Sequence, residues 1–309
     1  MSDRSSLAGL PERPVDPDWL ALREPADTRA RDAAADTLLP PLLGHLSGRL
    51  PARPDDATGA SAGRRGVRVV DLGAGTGANL RWLAPRLTAL GEPGTLPAQC
   101  WTLVDHDPRL RSWGPVSSTT VRADVADLPR LLNALDGVDL VTAAALLDLL
   151  DGPALAAVVD AVVAHGVPAL LTLSVTGTVD MGPADSLDDI VRVAFDAHQR
   201  RDGRLGPDAG AGAARLFRER GWNVVVAATP WRLGADDADL VQAWLEGRAE
   251  AAVEWRPDLA GPARVWLDRR RSQALAGALT AVIDHVDVLA LPRSRDLPAS
   301  GSSGSRPSA

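Results

Sequence analysis

Residues 69–79 read VVDLGAGTGAN, and the interpretation of the remaining sequence depends on them. The β-branched and apolar residues that open it are typical of a central parallel strand covered on both faces. Gly73, Gly75 and Gly77 lack a Cβ atom, so the loop can turn sharply and a ligand can approach its backbone closely. A helix beginning near Ala78 would direct free N–H groups and a partial positive charge at that ligand. The stretch therefore predicts a strand, a ligand-binding glycine loop and a helix.

Two classes of cofactor bind such a loop, and Asp71 favours one of them. A dinucleotide site has the pattern Gly-x-Gly-x-x-Gly/Ala, with an acid about 20 residues later for the ribose. Residues 73–78 fit that pattern, but Asp71 would place a negative charge near the pyrophosphate, Gly77 comes one position early and Asp105 comes late. The order Asp-x-Gly-x-Gly-x-Gly instead resembles motif I of the class I S-adenosylmethionine (SAM) methyltransferases. An NAD(P) oxidoreductase is therefore the disfavoured alternative.

The composition excludes several kinds of chemistry. All 33 basic residues are arginine and there is no tyrosine, so a lysine Schiff base and a tyrosine acid or base are ruled out. The single cysteine, Cys100, excludes an intrachain disulfide and a multi-cysteine metal site. The net charge of −7 argues against general binding to nucleic acid or a membrane surface. Without a long apolar stretch or an apolar signal core, we expect a cytoplasmic protein.

Strand and helix patterns alternate after the glycine loop, which predicts a doubly wound parallel sheet. Ligands of such sheets bind at the carboxyl ends of the strands. Asp71, Asp105 and Asp124 all come at or near those ends, so we expect them to converge. The strands predicted after the first are residues 99–105, 120–125, 139–145 and 168–175.

The resemblance to the class I methyltransferases assigns a role to each of these positions. It implies that the glycine loop and Asp71 hold the methionine end of SAM, that Asp105 holds both ribose hydroxyls, and that Asp124 with Val125 reads the adenine. His106 would line the edge of the cofactor. The cofactor-binding residues implied in this way are Asp71, Gly73, Gly75, Gly77, Asn79, Asp105, His106, Asp124, Val125 and Ala143.

The resemblance also implies the whole architecture, an α/β fold with a Rossmann-like sheet of seven strands in the order 3-2-1-4-5-7-6. Helices would cover both faces, and the last strand, residues 285–291, would pair antiparallel with the sixth, residues 222–231. We expect the methyltransferase domain to span residues 65–292. Helical insertions at residues 176–207 and 235–281 would form a cap together with the N-terminal segment.

The N-terminal region predicts two short helices and a linker. Residues 1–18 and 293–309 have compositions typical of disorder, and residues 19–64 form a helical segment followed by a linker. The first helix would begin with Asp27 as its N-cap and end at Pro40-Pro41, and the second would end near Leu50. Arginines of this region form a lid over the cofactor carboxylate or an acidic substrate, or else a solvated helix face. These arginines are Arg23, Arg29 and Arg31.

His198 is the candidate general base, because it belongs to a polar cluster on an insertion expected above the active site. The alternative interpretation is a solvent-facing helix end. For His285 a structural hydrogen bond is the favoured interpretation. No histidine spacing predicts a metal site. The segment from Phe195 to Asp202 and the Trp231–Gly234 stretch resemble a bacterial branch of the class I methyltransferases.

The sequence thus predicts a SAM-dependent methyltransferase that acts on a small-molecule acceptor. We expect a monomer or homodimer without membrane or nucleic-acid partners. Two alternatives stay open, an RNA or protein methyltransferase of the same fold and a non-catalytic SAM-binding protein. The second remains because the candidate bases are few.

Overall fold

A computed structural model describes residues 15–49, 66–88, 99–107 and 118–293 of the chain. Most of the predicted disordered termini and the linker lie outside these ranges. The strands are β1 (Val67–Leu72), β2 (Gln99–Asp105), β3 (Ser118–Arg122), β4 (Leu140–Ala144), β5 (Ala169–Gly182), β6 (Asn223–Ala228), β7 (Trp231–Leu233) and β8 (Thr280–Leu291). The α-helices are α1 (Pro17–Arg49), α2 (Ala78–Leu87), α3 (Leu128–Ala134), α4 (Gly152–His165), α5 (Asp188–Gln199), α6 (Ala209–Glu219), α7 (Ala238–Trp255) and α8 (Ala260–Leu275).

The strands form one mixed sheet in the order β3-β2-β1-β4-β5-β8-β6, and the short β7 also pairs with β8. Strands β1 to β5 run parallel to their neighbours, whereas β8 lies antiparallel to both β5 and β6. The last strand therefore lies between the fifth and the sixth. The predicted strand order and the antiparallel pairing of the last two strands are confirmed.

The sheet is covered on both faces, because consecutive residues of its central strands are buried on opposite sides. On one face Val70 and Val141 pack in a cluster with α3, α4 and α6. On the other face Val69 and Leu140 pack in a cluster with α1 and α2. The register pairs Asp71 with Leu103 of β2 and with Thr142 of β4. The carboxyl ends of these three strands consequently meet at one edge of the sheet.

The N-terminal segment is one continuous helix, so the prediction of two short helices is wrong. Helix α1 contains Pro25, Pro40 and Pro41, and Asp27 lies inside it rather than at its start. A proline inside a helix costs about 3 kcal/mol, which the packing of α1 against the rest of the fold offsets. The buried positions recur every four residues along one face. They are Ala26, Ala30, Ala34, Leu38, Leu42 and Leu46.

The strands that flank the insertions are longer or more divided than predicted. Strand β5 continues to Gly182, because its second half pairs with the first half of β8, which begins at Thr280. Residues 176–182 are therefore strand, not part of a helical insertion. The predicted sixth strand is split at Pro230, which lacks an N–H group for the ladder. Its two parts are β6 and β7.

A buried carboxylate stabilises the irregular part of β5. Asp287 Oδ1 accepts hydrogen bonds from the backbone N of Leu173 and from Thr229 Oγ1, both at 2.7 Å. Leu173 has a φ of 58°, and the β5–β8 register shifts just after it. Burial raises the pKa of Asp287 to about 6. Leu173 and Val175 of this irregular segment line the cavity that is described below.

Helices α5, α7 and α8 pack on the extended part of β5 and on β7, and form the cap. Arg270 is fully buried and pairs with Asp188, which also accepts a 2.8 Å hydrogen bond from Trp266 Nε1. Ala26 and Ala30, in the N-terminal half of α1, pack in one apolar cluster with residues of α5, α7 and α8. The N-terminal helix, α5 of the first insertion and the two helices of the second insertion therefore cover this side of the fold together, which agrees with the predicted helical cap.

The packing of α1 on the sheet predicts that it is part of the folded core. Leu42→Ala removes a side chain with no exposed surface and should lower the free energy of unfolding by about 2–5 kcal/mol. Leu275→Ala, at a site that is 88% exposed, is the matched control and should change it by less than about 0.5 kcal/mol. Urea denaturation followed by circular dichroism measures both. Equal stability of the two variants would contradict the packing of α1.

Candidate functional site

A cavity of about 370 Å³ opens at the carboxyl ends of β1, β2 and β4. One side is formed by the glycine loop and the strand ends, and the other by α1, α5, α7, β7 and β8. The lining residues used below are Leu20, Arg23, Asp27, Arg31, Asp71, Gly73, Gly75, Asn79, Asp105, His106, Ala123, Val125, Asp148, Phe195, Gln199, Trp231, Trp244, Arg248 and His285.

The glycine loop needs its glycines for two separate reasons. Gly73 and Gly75 have φ angles of 60° and 52°, in the left-handed region that side chains disfavour. A Cβ atom on Gly75 would also lie 3.1 Å from Leu20 Cδ1 of α1. Helix α1 therefore packs directly on the loop, and the cavity is closed on that side by the N-terminal segment.

Asp71 is completely buried beneath the loop. Its Oδ1 accepts a 2.8 Å hydrogen bond from Asn79 Nδ2, whereas its Oδ2 has no partner among the described residues. Burial raises the pKa of this carboxyl to about 7, against the opposing effects of Asn79 and Arg31. A buried oxygen without a partner is costly, so the site calls for a cation or a hydrogen-bond donor.

Asn79 connects Asp71 to the N-terminal helix. Its amide also donates to Thr142 Oγ1 at 3.0 Å, and its Oδ1 accepts from Arg31 Nη1 at 3.2 Å. Arg31 is buried, donates to the Asp27 carbonyl oxygen and lies over the Trp82 ring. Asn79 of α2 is therefore hydrogen-bonded to one side chain each from β1, β4 and α1. It fixes the orientation of Asp71.

Asp105 is held by backbone groups on both oxygens. Its Oδ2 accepts from Gly75 N and its Oδ1 from Asp107 N, each at 2.9 Å. Each carboxylate oxygen has a further lone pair, so the group can still accept hydrogen bonds from a ligand. His106 lies beside it with Nδ1 at 3.4 Å from Asp105 Oδ1, and its side chain is 43% exposed.

The structure brings seven of the ten predicted cofactor residues to the cavity wall, and the other three point elsewhere. Gly77 is the N-cap of α2, with a φ of 80°. The side chain of Ala143 packs in the core between the sheet and α3, α4 and α6, because alternate residues of β4 point to opposite sides. The Asp124 carboxylate caps a 3₁₀ turn by accepting from Ala126 N at 2.9 Å. Its neighbours Ala123 and Val125 line the cavity instead.

His198 is buried outside the cavity wall, so neither interpretation of it from the sequence fits. Its Nδ1 lies 2.8 Å from Arg201 Nη1, and its Nε2 lies 3.2 Å from Glu254 Oε2. Helical geometry explains the placement, because Phe195 and Gln199, four positions apart on α5, face the cavity. His198 projects to the side of that face, where it joins α5 to the end of α7.

Sequence reasoning missed an aromatic and charged cluster opposite the glycine loop. Asp27 accepts hydrogen bonds from Arg23 Nε and Trp231 Nε1, both at 2.9 Å. The Arg23 guanidinium lies over the Trp231 ring, and the centres of the His285 and Trp231 rings are 5.0 Å apart. These residues come from α1, β7 and β8, which are far apart in sequence. The sequence predicted Arg23 as a candidate lid residue, Asp27 as an N-cap and a structural hydrogen bond for His285, but no pattern placed these residues together.

The histidine of this cluster has a defined tautomer. His285 Nδ1 lies 2.9 Å from the Ile283 carbonyl oxygen, which can only accept, so Nδ1 carries the hydrogen. Nε2 is then a free acceptor, with no hydrogen bond to the described residues. Burial, and next the positive charge of Arg23, lower the pKa of His285 to about 4. The ring is therefore neutral near pH 7. Asp148 also lines the cavity, and burial raises its pKa.

Two further features concern the described residues only. They contain no cluster of three or more histidine, cysteine or acidic side chains arranged to hold a metal ion. Their helices also include none with the length and apolar character needed to cross a membrane.

Comparisons with known proteins were made at the level of sequence and of structure. No protein-family model and no curated protein matches this sequence. Three solved structures illustrate the structural matches, all at low identity. A cyclopropane-fatty-acyl-phospholipid synthase-like protein from Lactobacillus casei is 13% identical with a TM-score of 0.48, over 91% of this chain and 95% of that one.

The other two structures are more distant by TM-score. A SAM-dependent methyltransferase from Thiobacillus denitrificans, in complex with S-adenosyl-L-homocysteine, is 16% identical with a TM-score of 0.36, over 82% of this chain and 92% of that one. The cyclopropane synthase MmaA2 from Mycobacterium tuberculosis is 12% identical with a TM-score of 0.38, over 80% and 82%. What this chain has in common with these proteins is the arrangement of its strands and helices.

Proposed function

We propose that this chain is a SAM-dependent methyltransferase that acts on a small-molecule acceptor. The observation that carries the proposal is the unpartnered Oδ2 of Asp71 beneath the glycine loop. A buried carboxylate in this position suits the ammonium group at the methionine end of SAM, because it can accept charge-assisted hydrogen bonds from that group. The pyrophosphate of a dinucleotide would instead meet a buried acid.

The remaining parts of the cofactor fit the neighbouring residues. Arg31 of α1 lines the cavity beside the glycine loop, so its guanidinium suits the cofactor carboxylate. This role corresponds to the lid interpretation of the N-terminal arginines. Asp105 suits the ribose, because its fixed carboxylate keeps free lone pairs for two hydroxyl groups. Ala123 and Val125 offer an apolar wall to the adenine, whereas the Asp124 carboxylate caps the 3₁₀ turn beside them and does not line the cavity.

When SAM is bound, it supplies a sulfonium methyl group that a nucleophile can attack in line. The task of the protein is then to align the acceptor and to exclude water. Helix α1 and the cap enclose the cavity on the side opposite the strands, which suits both tasks. That enclosure also favours a small molecule over RNA or protein as the acceptor.

His285 is the proposed general base, in place of His198. Its Nε2 can accept the hydrogen of an O–H or N–H acceptor and take the proton as the new bond to carbon forms. The lowered pKa of His285 keeps the ring neutral and ready to accept, but it also makes the base weak. Asp148 is the second candidate, because its carboxyl faces the same cavity with a raised pKa.

The first experiment is calorimetric titration of the purified protein with SAM, S-adenosylhomocysteine and NADH. Binding of the first two in the micromolar range, without NADH, supports the proposal and justifies a screen for methyl acceptors. Binding of NADH alone, or of none of the three, contradicts it. SAM binding without transfer to any acceptor in the screen would favour the non-catalytic alternative.

Asp105→Ala should weaken SAM binding by about 1.5–3 kcal/mol, because charge-assisted hydrogen bonds to the ribose are lost. Isothermal titration measures the change. Asp160→Ala, at an exposed aspartate that pairs with Arg220, is the matched control and should bind SAM like the unmodified protein. Unchanged affinity in Asp105→Ala would remove the ribose assignment.

The affinity for SAM should depend on pH through Asp71. Its pKa is raised to about 7, so the carboxylate that the ammonium group needs is lost as the pH falls through that value. The linkage predicts binding about tenfold weaker near pH 6 than near pH 8. Calorimetry in buffers of different ionisation enthalpy should show proton release at about pH 7.

Two variants separate Asp71 from other groups that titrate nearby. Asp71→Asn should bind SAM weakly with no pH slope, because the amide does not ionise. Asp287→Asn is the matched control, since Asp287 is also buried with a pKa of about 6 but does not line the cavity. The pH dependence of SAM affinity should persist in that variant. If it also persists in Asp71→Asn, a group other than Asp71 causes it.

His285→Gln should slow methyl transfer about 100-fold with little effect on SAM affinity, because a positioned base is lost but the cofactor contacts remain. Single-turnover transfer of a labelled methyl group measures the rate. His198→Gln should transfer at the normal rate. If Asp148→Asn alone abolishes transfer, Asp148 is the base and the assignment to His285 is wrong.

A further inference from the structure

Arg248 of α7 is a buried cation without a protein partner. It is only 5% exposed, yet it makes no hydrogen bond with any of the described residues, and its buried Nη2 is unsatisfied. Its guanidinium carbon lies 4.1 Å from the centre of the Phe195 ring and 4.7 Å from that of Trp244. All three side chains line the cavity, on the cap side.

No acid of the described chain forms a hydrogen bond with this guanidinium. Asp196 interacts with Arg248 electrostatically, but its Oδ2 accepts a hydrogen bond from Arg192 Nη1 at 3.3 Å. Burial lowers the pKa of Arg248 to about 10, which still leaves it charged near pH 7. A charged group that is buried without acceptors is unfavourable, so its position indicates a partner that comes from outside the fold.

The other buried arginines of the described chain are satisfied by the protein itself. Arg270 donates to both oxygens of Asp188, to the Pro183 carbonyl oxygen and to Gln273. Arg31 donates to Asn79 and to a backbone carbonyl oxygen. Arg248 is 5% exposed and forms no such hydrogen bond; the Phe195 and Trp244 rings flank it, and Asp196 and Arg192 interact with it only electrostatically. Aromatic faces hold a guanidinium in place and leave its N–H groups free for a ligand.

We propose that Arg248 binds an oxyanion, a carboxylate or a phosphate, on the methyl acceptor. The acceptor is then a small acid with an apolar or aromatic body, which packs against Phe195, Trp231 and Trp244. The planar guanidinium can hold the two oxygens of such a group side by side, which fixes the orientation of the acceptor. This inference rests on the proposed function, because it describes the acceptor side of the same cavity.

The anion bound by Arg248 is distinct from the cofactor carboxylate. The cofactor carboxylate is assigned to Arg31, which is attached to the glycine loop through Asn79. Arg248 belongs to the cap and contacts α5 instead. A site of this kind should therefore stay available when S-adenosylhomocysteine fills the cofactor side.

The test is titration of the protein, with and without saturating S-adenosylhomocysteine, with three probes of similar shape. Phenylacetate and phenyl phosphate carry the two candidate anions, and phenylacetamide is the neutral counterpart. We expect one of the anions to bind to the loaded protein at least tenfold more tightly than phenylacetamide. Whichever anion binds more tightly identifies the chemical class. Equal binding of all three, or of none, overturns the proposal.

Three variants test whether the preference for an anionic probe over phenylacetamide depends on the Arg248 guanidinium. Arg248→Gln should remove the preference for the anion over phenylacetamide. Arg256→Gln is the matched control, because Arg256 follows α7 directly but is exposed and pairs with Asp258. It should keep the preference. Arg248→Met should melt no lower than the unmodified protein and lose the thermal shift produced by the anion, which separates lost binding from lost folding. Retained preference in Arg248→Gln overturns the proposal.

The same titrations separate the two proposals. Binding of the anion without binding of S-adenosylhomocysteine would contradict the methyltransferase function and leave the anion site standing. Binding of S-adenosylhomocysteine without any preference among the probes would contradict the anion site alone.

Discussion

The burial of the Asp71 carboxylate is the constraint on which the rest of the site depends. Asp71 lies on the central strand, with β2 on one side and β4 on the other, so water cannot solvate its charge. It is tolerated because Asn79 donates to it and Arg31 holds Asn79 in turn. The helix that brings Arg31 must therefore pack on the sheet, which explains why the N-terminal segment is an integral layer of the fold.

The sequence was informative wherever a local pattern determines the structure. The glycine loop, the strand-end acids Asp71 and Asp105 and the strand order follow from short-range rules on turn residues, buried strands and right-handed crossovers. It failed where a distant contact outweighs a local preference. Helix α1 passes through three prolines because the sheet supports it, and β5 continues to Gly182 because β8 lies beside it.

The cavity wall opposite the glycine loop was the least predictable part, because its residues meet only in the folded chain. His285 and Trp231 face each other across the junction of β7 and β8, and Arg248 meets Phe195 only where α7 crosses α5. No spacing in the sequence records such contacts. His198 lies off the face of α5 that Phe195 and Gln199 define, and only the folded chain shows that this face meets the cavity.

Helix α1 borders both walls of the cavity, which limits how its sequence can change during evolution. The parallel strands form the wall that carries the glycine loop, whereas α5 and α7 form the opposite wall, and these two groups of elements belong to largely separate apolar clusters. Residues of α5 and α7 can therefore change without disturbing the loop. Helix α1 has no such freedom, since Arg23 contacts Trp231 on one wall and Arg31 contacts Asn79 on the other. Inheritance should preserve α1 as a unit while the cap around it changes.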